Sequence, residues 1–183
     1  MLLVSLALCR PALAGPTGEP SPALRAALAV AMKAPADFDD RYAAEVWFVD
    51  MAGRLAPFMP DAEKRLHFLK VLHQEATRAG VEPELVLAVI QVESGFDRYA
   101  ISASGAQGYM QIMPFWLEEI GDPAGNLFDL HTNLRMGCTI LRYYIDASHG
   151  DWVKALARYN GSTGRADYPY LVLKLLNRRW SPN

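Results

Sequence analysis

The chain has 183 residues, of which 51% are hydrophobic and 21% charged, a balance typical of one ordinary globular domain. Its formal net charge of -2 excludes the basic field of a nucleic-acid-binding protein, so we expect no nucleic-acid partner. Only two cysteines and four scattered histidines are present, which excludes a disulfide framework and gives no indication of a metal site.

The first 14 residues predict an export signal. Residues 1–8 form an apolar run too short to span a bilayer, and Ala12-Leu13-Ala14 is a small-x-small pattern of the kind that signal peptidase cuts. No Lys or Arg precedes the run, so the alternative is a terminal helix packed on the domain; a lipoprotein is a minor alternative, because Leu8 stands where a small residue is expected before Cys9. We therefore expect a periplasmic or cell-envelope protein, a monomer without a transmembrane segment once the signal is removed.

Residues 15–22 are rich in Pro, Gly, Thr and Ser and predict a linker. Residues 23–33 predict a helix, and residues 37–55 a second one. The apolar stripe expected along the second helix consists of Tyr42, Val46, Val49 and Gly53.

Asp61 is a plausible cap for a third helix that runs to Ala79 and ends at Gly80. The apolar positions expected to face the core are Leu66, Leu69, Val71 and Leu72. Together, residues 23–80 predict a helical support for the rest of the chain, although this segment could instead dock a partner.

Pro83 suits the first turn of a helix over residues 84–93. Residues 85–90 are apolar on every side, which predicts a helix buried inside the domain; a short buried strand is the competing interpretation. Residues 95–108 are rich in Gly, Ser and Ala and predict a loop with at most a small β element.

The remaining elements are all predicted to be helical. Residues 110–120 predict a helix with Pro114 near its start, and further helices are expected over 130–147, 152–159 and 168–179. Residues 81–183 would then form a helical core. The sequence thus predicts a single, mainly α domain.

Glu93 closes the apolar helix and is the strongest candidate for chemistry. Burial and the negative end of the helix dipole both raise the pKa of a carboxyl group, as a general acid at neutral pH requires. The alternative is a glutamate at a frayed helix end that points into water. Cys138, in an apolar setting, predicts a buried and inert thiol.

Three segments in order resemble the active site of the soluble lytic transglycosylases, lysozyme-like enzymes of the glycoside hydrolase family 23 type that cleave bacterial peptidoglycan. They are residues 93–97 (ESGFD), 105–114 (GAQGYMQIMP) and 157–161 (ARYNG), and the resemblance extends over roughly residues 81–172. It implies a lysozyme-like α+β fold with a catalytic cleft, in which residues 81–183 form the catalytic core. Tyr109 and Arg158 depart from the family pattern, which usually has Leu and Ala there, and neither position touches the acid.

The resemblance implies a role for seven residues. Glu93 matches the single catalytic acid/base, and Tyr159 matches a tyrosine whose hydroxyl lies near the acid. The residues that match substrate-binding positions are Ser94, Gln107, Met110, Gln111 and Asn160.

Four of these residues also have a purely structural interpretation. Met110 could be core filler, and Gln111 a surface helix residue. Tyr159 could be a core ring with its hydroxyl satisfied, and Asn160 a helix C-terminal cap.

The implied reaction is non-hydrolytic cleavage of the MurNAc-GlcNAc β-1,4 bond to give 1,6-anhydromuramyl ends, without metal or cofactor. The partners implied are peptidoglycan glycan strands and, for small members of this family, a secretion or pilus machine. A goose-type lysozyme-like hydrolase and a non-catalytic peptidoglycan-binding component are the alternatives.

Overall fold

The computed structural model describes residues 22–33 and 41–181. Over these ranges the chain is mainly helical, which confirms the predicted fold class, and its β structure is limited to two isolated bridges, Ile101–Gln107 and Gln107–Ile112. The elements are α1 (Pro22–Lys33), α2 (Arg41–Leu55), α3 (Ala62–Ala79), α4 (Pro83–Glu93), α5 (Phe115–Glu119), α6 (Leu130–Ala147), α7 (Trp152–Tyr159), α8 (Asp167–Leu175) and a closing π-helical turn (Leu176–Trp180).

The predicted export signal, and the predicted linker up to residue 21, lie outside the described residues. Pro22 begins α1. Among the helices of the described ranges, none is long and apolar enough to cross a membrane.

Local capping sets several helix boundaries where the sequence predicts them. The Asp61 carboxylate accepts hydrogen bonds from the backbone N–H groups of Glu63 and Lys64, and Gly80 ends α3 in the left-handed conformation. Asp129 and Asp151 cap α6 and α7 in the same way. Each aspartate accepts from N–H groups that the first helical turn leaves unpaired, whereas the Gly80 N–H donates to carbonyls of the last turn of α3.

The apolar helix α4 lies inside the domain. Residues 85–90 are all buried, and the helix packs against α3, α8 and the π-helical turn. This confirms the predicted buried helix and excludes the strand alternative. Because α4 is enclosed, its C-terminal residue Glu93 lies at the edge of the core.

The predicted inward face of α2 is wrong. Val46 and Val49 are 76% and 77% exposed, whereas Met51 and Leu55 are fully buried. The face is set by Trp47, whose Nε1 donates to Glu84 Oε1 at 2.8 Å across the helix interface. The side chain of Tyr42 lies outside the part of the chain that the structure describes.

A smaller correction concerns α3. Leu69, Val71 and Leu72 are buried as predicted, but Leu66 is 44% exposed. Phe68 takes its place in the core and packs against Phe96 and Tyr109. Because Phe68 comes two residues after Leu66, it lies on a different side of the helix.

The helix predicted over residues 110–120 is shorter and begins at Phe115. Residues 110–113 form a turn instead, because Gln107 and Ile112 pair through two backbone hydrogen bonds of 2.9 and 3.0 Å. Gln111 lies at φ +52°, which no right-handed helix allows.

A buried ion-pair cluster joins α3 to α6. Glu75 is fully buried and accepts hydrogen bonds from Arg135 and Arg78, with the shortest distances both 2.7 Å. Burial by itself would raise the pKa of Glu75, but the hydrogen bonds from the two guanidinium groups lower it below its ordinary value. The carboxylate is therefore ionised and compensated inside the fold.

Candidate active site

The Glu93 carboxyl group lies at the C-terminal end of α4. The residue as a whole is partly buried, but its Oε2 atom has almost no exposed surface and no hydrogen-bond partner among the described residues. Oε1 accepts a hydrogen bond of 2.6 Å from the hydroxyl group of Tyr168. Since Oε1 already accepts a hydrogen bond, we place the proton of the neutral acid on Oε2.

The pKa of Glu93 is raised from 4.5 to about 8, because burial disfavours the charged carboxylate. The Tyr168 hydrogen bond and, secondarily, the neighbouring Asn160 side chain oppose this shift without cancelling it. The direction agrees with the expectation drawn from the apolar helix. At neutral pH the group is mostly protonated and can donate a proton.

Tyr168 is the partner of Glu93 that the site prediction missed. It lies 75 residues away, at the start of α8, and is buried. Burial and the neighbouring Glu93 carboxyl raise the pKa of its hydroxyl well above its ordinary value, so the phenol stays a donor. No local pattern in the sequence connects the two residues, because they are 75 positions apart.

The hydroxyl group of Tyr159, which was expected beside the acid, makes its hydrogen bond to a backbone carbonyl and not to Glu93. The ring is fully buried and the hydroxyl donates to the Met110 carbonyl at 2.8 Å. Burial raises the pKa of Tyr159 well above its ordinary value, and the nearby Glu93 carboxyl adds to this. The tyrosine therefore lies close to the acid while its hydrogen bond fixes the Met110 peptide group.

Two further side chains hold the same peptide segment. The Ser94 hydroxyl donates to the Tyr109 carbonyl at 2.8 Å, and the Met110 N–H donates to Asn133 Oδ1 at 2.8 Å. With Tyr159, they connect the ends of α4 and α7 and the first turn of α6 to residues 109–110. We call this arrangement the Met110 clamp: Ser94, Asn133, Tyr159 and the peptide groups they hold.

Asn133 was not among the predicted site residues. Besides the Met110 bond, its amide donates to the carbonyls of Leu127 and Gln107 at 2.8 and 3.0 Å, so a buried side chain fixes three backbone positions. Gly108 makes this approach possible, since a Cβ there would lie 2.4 Å from Asn133 Nδ2. A polar residue on the apolar stripe of α6, one turn after Leu130, was the signal available in the sequence.

The Met110 side chain lies in the core. It is fully buried against Gly137, where a Cβ would meet the Met110 sulfur at 2.3 Å. A contact between Met110 and a substrate would therefore have to use its backbone. The core interpretation of the side chain is the one that this structure supports.

Gln111 and Gln107 stabilise the loop itself. The Gln111 amide is buried and donates to the carbonyls of Gly108 and Ala100 at 2.9 and 3.1 Å, which holds the residue at its positive φ. Gln107 is partly buried, and its backbone joins both β-bridges. A substrate contact by either side chain stays a prediction.

Asn160 follows the last residue of α7 and is 4% exposed. Its side chain lowers the pKa of Glu93, which brings it into the immediate surroundings of the acid. Asn160 is thus both the helix cap expected from the sequence and a neighbour of the candidate catalytic group.

The four histidines and the buried thiol take no part in this arrangement. Cys138 is buried, and burial raises the pKa of its thiol, as expected of an inert cysteine. In the ranges that the structure describes, no group of three or more His, Cys, Asp or Glu side chains is arranged to hold a metal ion.

Comparisons with known proteins converge on one family. The sequence model described as the Transglycosylase SLT domain matches residues 70–168, more than half of the chain. A protein named Transglycosylase from Enterobacteria phage PRD1 is 31% identical over 119 residues, covering 61% of this chain and 44% of the relative. Membrane-bound lytic murein transglycosylase C of Yersinia pestis (strain Pestoides F) is 34% identical over 119 residues, covering 56% and 33%. The chain thus spans less than half the length of these curated relatives.

Among solved structures, an inactive mutant of lytic transglycosylase Slt from Pseudomonas aeruginosa aligns with a TM-score of 0.47 and 25% sequence identity. The alignment covers 58% of this chain and 20% of that protein.

Proposed function

Because the chain belongs to the Transglycosylase SLT domain family, we propose that it is a peptidoglycan lytic transglycosylase with Glu93 as its single acid/base. The observation that carries the proposal is the Glu93 carboxyl, buried at the end of α4 with a pKa of about 8 and a free buried oxygen. Its substrate would be the MurNAc-GlcNAc β-1,4 bond of glycan strands, reached in the periplasm or cell envelope.

In the first step, Glu93 Oε2 would donate its proton to the glycosidic oxygen while the bond from that oxygen to the muramyl C1 breaks. The tyrosine hydroxyl on Oε1 stabilises the carboxylate that this transfer creates. The carbonyl oxygen of the muramyl N-acetyl group would bond to C1 and take up the developing positive charge.

The second step returns the proton. The Glu93 carboxylate would accept it from the muramyl C6 hydroxyl, whose oxygen attacks C1 and displaces the N-acetyl oxygen. The product is a 1,6-anhydromuramyl end, and Glu93 is protonated again without consumption of water.

The surroundings of Glu93 support assistance by the substrate. Most glycosidases place two carboxyl groups about 5 to 9 Å apart across the scissile bond. Here, no second carboxyl group acts on the pKa of Glu93 within the described residues. Asp97, four residues on, is exposed and accepts the backbone N–H of Tyr99 at 2.8 Å.

Digestion of purified sacculi by the chain, followed by mass measurement of the soluble muropeptides, tests the proposal. Products lighter by one water than hydrolytic products are expected. Ordinary reducing ends would instead identify a lysozyme-type hydrolase, and the absence of products from folded protein would favour a binding role.

Replacing Tyr168 with Phe is expected to move the alkaline limb of the pH–rate profile upward. The Tyr168 hydrogen bond lowers the pKa of Glu93, so its loss raises that pKa and keeps the acid protonated to higher pH. Because the acid itself remains, we expect kcat at neutral pH to change by less than about ten-fold. The measurement is kcat against pH on glycan strands.

Tyr159→Phe is the matched control, since it removes a hydroxyl from the other buried tyrosine near Glu93. It leaves the Met110 carbonyl unpaired, so we expect a loss of about 1 to 3 kcal/mol in the free energy of unfolding and an unchanged alkaline limb. A shift of the limb in Tyr159→Phe but not in Tyr168→Phe would reverse the two roles.

A further inference from the structure

An apolar ledge is exposed on the loop that follows Glu93. We define the ledge as Tyr99, Ile101 and Phe128: Tyr99 is 67% exposed, Ile101 is 64% exposed and Phe128 is partly buried. The ring centroids of Tyr99 and Phe128 lie 5.8 Å apart, so the two aromatics form one contact. Neighbouring large apolar groups exposed together commonly mark a binding surface.

The Tyr99 ring is held in place although it is exposed. Its backbone N–H donates to Asp97 Oδ1 at 2.8 Å, and the Arg98 guanidinium lies 5.6 Å from the ring centroid. Arg98 Nε in turn donates to the Phe128 carbonyl at 2.6 Å, which ties the two aromatic positions together. A fixed aromatic surface loses little conformational entropy when a ligand packs on it.

The ledge belongs to the same rigid loop as the Met110 clamp. Ala100, between Tyr99 and Ile101, accepts hydrogen bonds through its carbonyl from the Gly108 N–H at 2.9 Å and from Gln111 Nε2 at 3.1 Å. Ile101 also forms a β-bridge with Gln107. The exposed ring is therefore connected through the backbone to the segment that Ser94 and Tyr159 hold beside Glu93.

We propose that the ledge binds the glycan strand beyond the bond that Glu93 cleaves, with a sugar ring stacked on Tyr99. A polymer continues on both sides of the reacting bond, and the loop that carries the ledge begins directly after Glu93, so further sugars would pass close to it. The C–H face of a pyranose is apolar, and its hydrogens carry a small positive charge that suits the negative face of an aromatic ring. This inference rests on the proposed function, because it takes the same glycan as the occupant.

The test compares kcat and KM on glycan strands freed of their peptides. Tyr99→Ala is expected to raise KM about ten-fold while kcat stays within about two-fold, because the lost apolar contact contributes to binding and not to the chemical step. Tyr99→Phe keeps the ring and is expected to keep the wild-type KM. Unchanged melting temperatures, expected for an exposed side chain, exclude misfolding as the cause.

Tyr170→Ala is the matched control, since Tyr170 is a tyrosine of similar exposure, 63%, on α8. It is expected to leave KM unchanged. A wild-type KM in Tyr99→Ala, or an equal rise in Tyr170→Ala, would overturn the ledge as a glycan site. Loss of a dimer in Tyr99→Ala with KM unchanged would assign the ledge to a second copy of the chain.

A failure of the proposed function can be told apart from a failure of this inference. If the wild-type chain cleaves no glycan, the proposed function fails, and the ledge is then tested by co-sedimentation of each variant with insoluble glycan strands. Binding weakened about ten-fold in Tyr99→Ala but not in Tyr170→Ala would still support the ledge. Equal binding by both variants would reject it.

Discussion

Glu93→Gln is expected to lower the rate of glycan cleavage by about 10³-fold or more, because the one group that gives and takes the proton is lost. Glutamine has nearly the same shape and still accepts the Tyr168 hydrogen bond, so the fold should be kept. The measurement is the release of muropeptides from sacculi, with binding of glycan strands measured in parallel. Activity retained in this variant would reject Glu93 as the acid.

The same substitution has an expected effect on stability that depends on pH. The pKa of Glu93 is about 8 in the folded protein and near 4.5 in the unfolded chain, so between these values the folded state binds more protons. The free energy of unfolding then falls as pH rises through this window, by up to about 1.4 kcal/mol per pH unit. Glutamine does not titrate, so the variant should become progressively more stable than wild type from about pH 5 to pH 8.

Glu82→Gln is the control for both effects. Glu82 lies at the opposite end of α4, is exposed, and makes no side-chain capping hydrogen bond. Its substitution is expected to leave cleavage unchanged and to give no growing stability difference across the same pH range. Thermal unfolding of the three proteins in a pH series makes the comparison, and parallel curves for Glu93→Gln and wild type would contradict the raised pKa.

Gly108→Ala is expected to reduce the free energy of unfolding by about 3 kcal/mol or more, because two costs combine. The residue lies at φ +76°, and its new Cβ would be 2.4 Å from Asn133 Nδ2 and 2.6 Å from the Leu127 carbonyl oxygen. The second neighbour is backbone and cannot easily move. Displacement of Asn133 would also release the Met110 N–H, so we expect glycan cleavage to fall as well.

Gly105→Ala separates these two costs. Gly105 lies in the same loop at φ +87°, but a Cβ there meets nothing within 4 Å. The variant should lose only about 1 to 2 kcal/mol, the cost of the left-handed conformation. Denaturant unfolding of both variants gives the difference, and equal losses would show that the space around Gly108 is not limiting.

Local chemistry explains why much of the fold could be predicted from the sequence. Asp61, Gly80, Asp129 and Asp151 act on backbone groups within a few residues, so the helix ends they set are visible in the sequence. The burial of residues 85–90 follows from their uniform apolar character. The raised pKa of Glu93 follows in turn from its position at the end of that helix.

The errors arise where distant contacts decide the structure. Residues 110–113 have helical propensity, yet the pairing of Gln107 with Ile112 and the bond from Met110 to Asn133 hold them in a turn. The orientation of α2 depends on Trp47 reaching Glu84, 37 residues away. Likewise, the Tyr168 hydroxyl meets Glu93 only because α8 packs against α4.

The ion pair between Glu75 and Arg135 limits how this chain can be divided. Arg135 lies on α6, two residues beyond Asn133, and its charge is neutralised by a carboxylate from α3. A truncated or fused protein that began after Gly80 would lose this ion pair and would also expose the apolar residues of α4 and α6 that pack against α3, at a cost of several kcal/mol. The shortest truncated protein that retains the candidate site should therefore begin no later than Asp61, so that it includes α3 and its N-terminal cap.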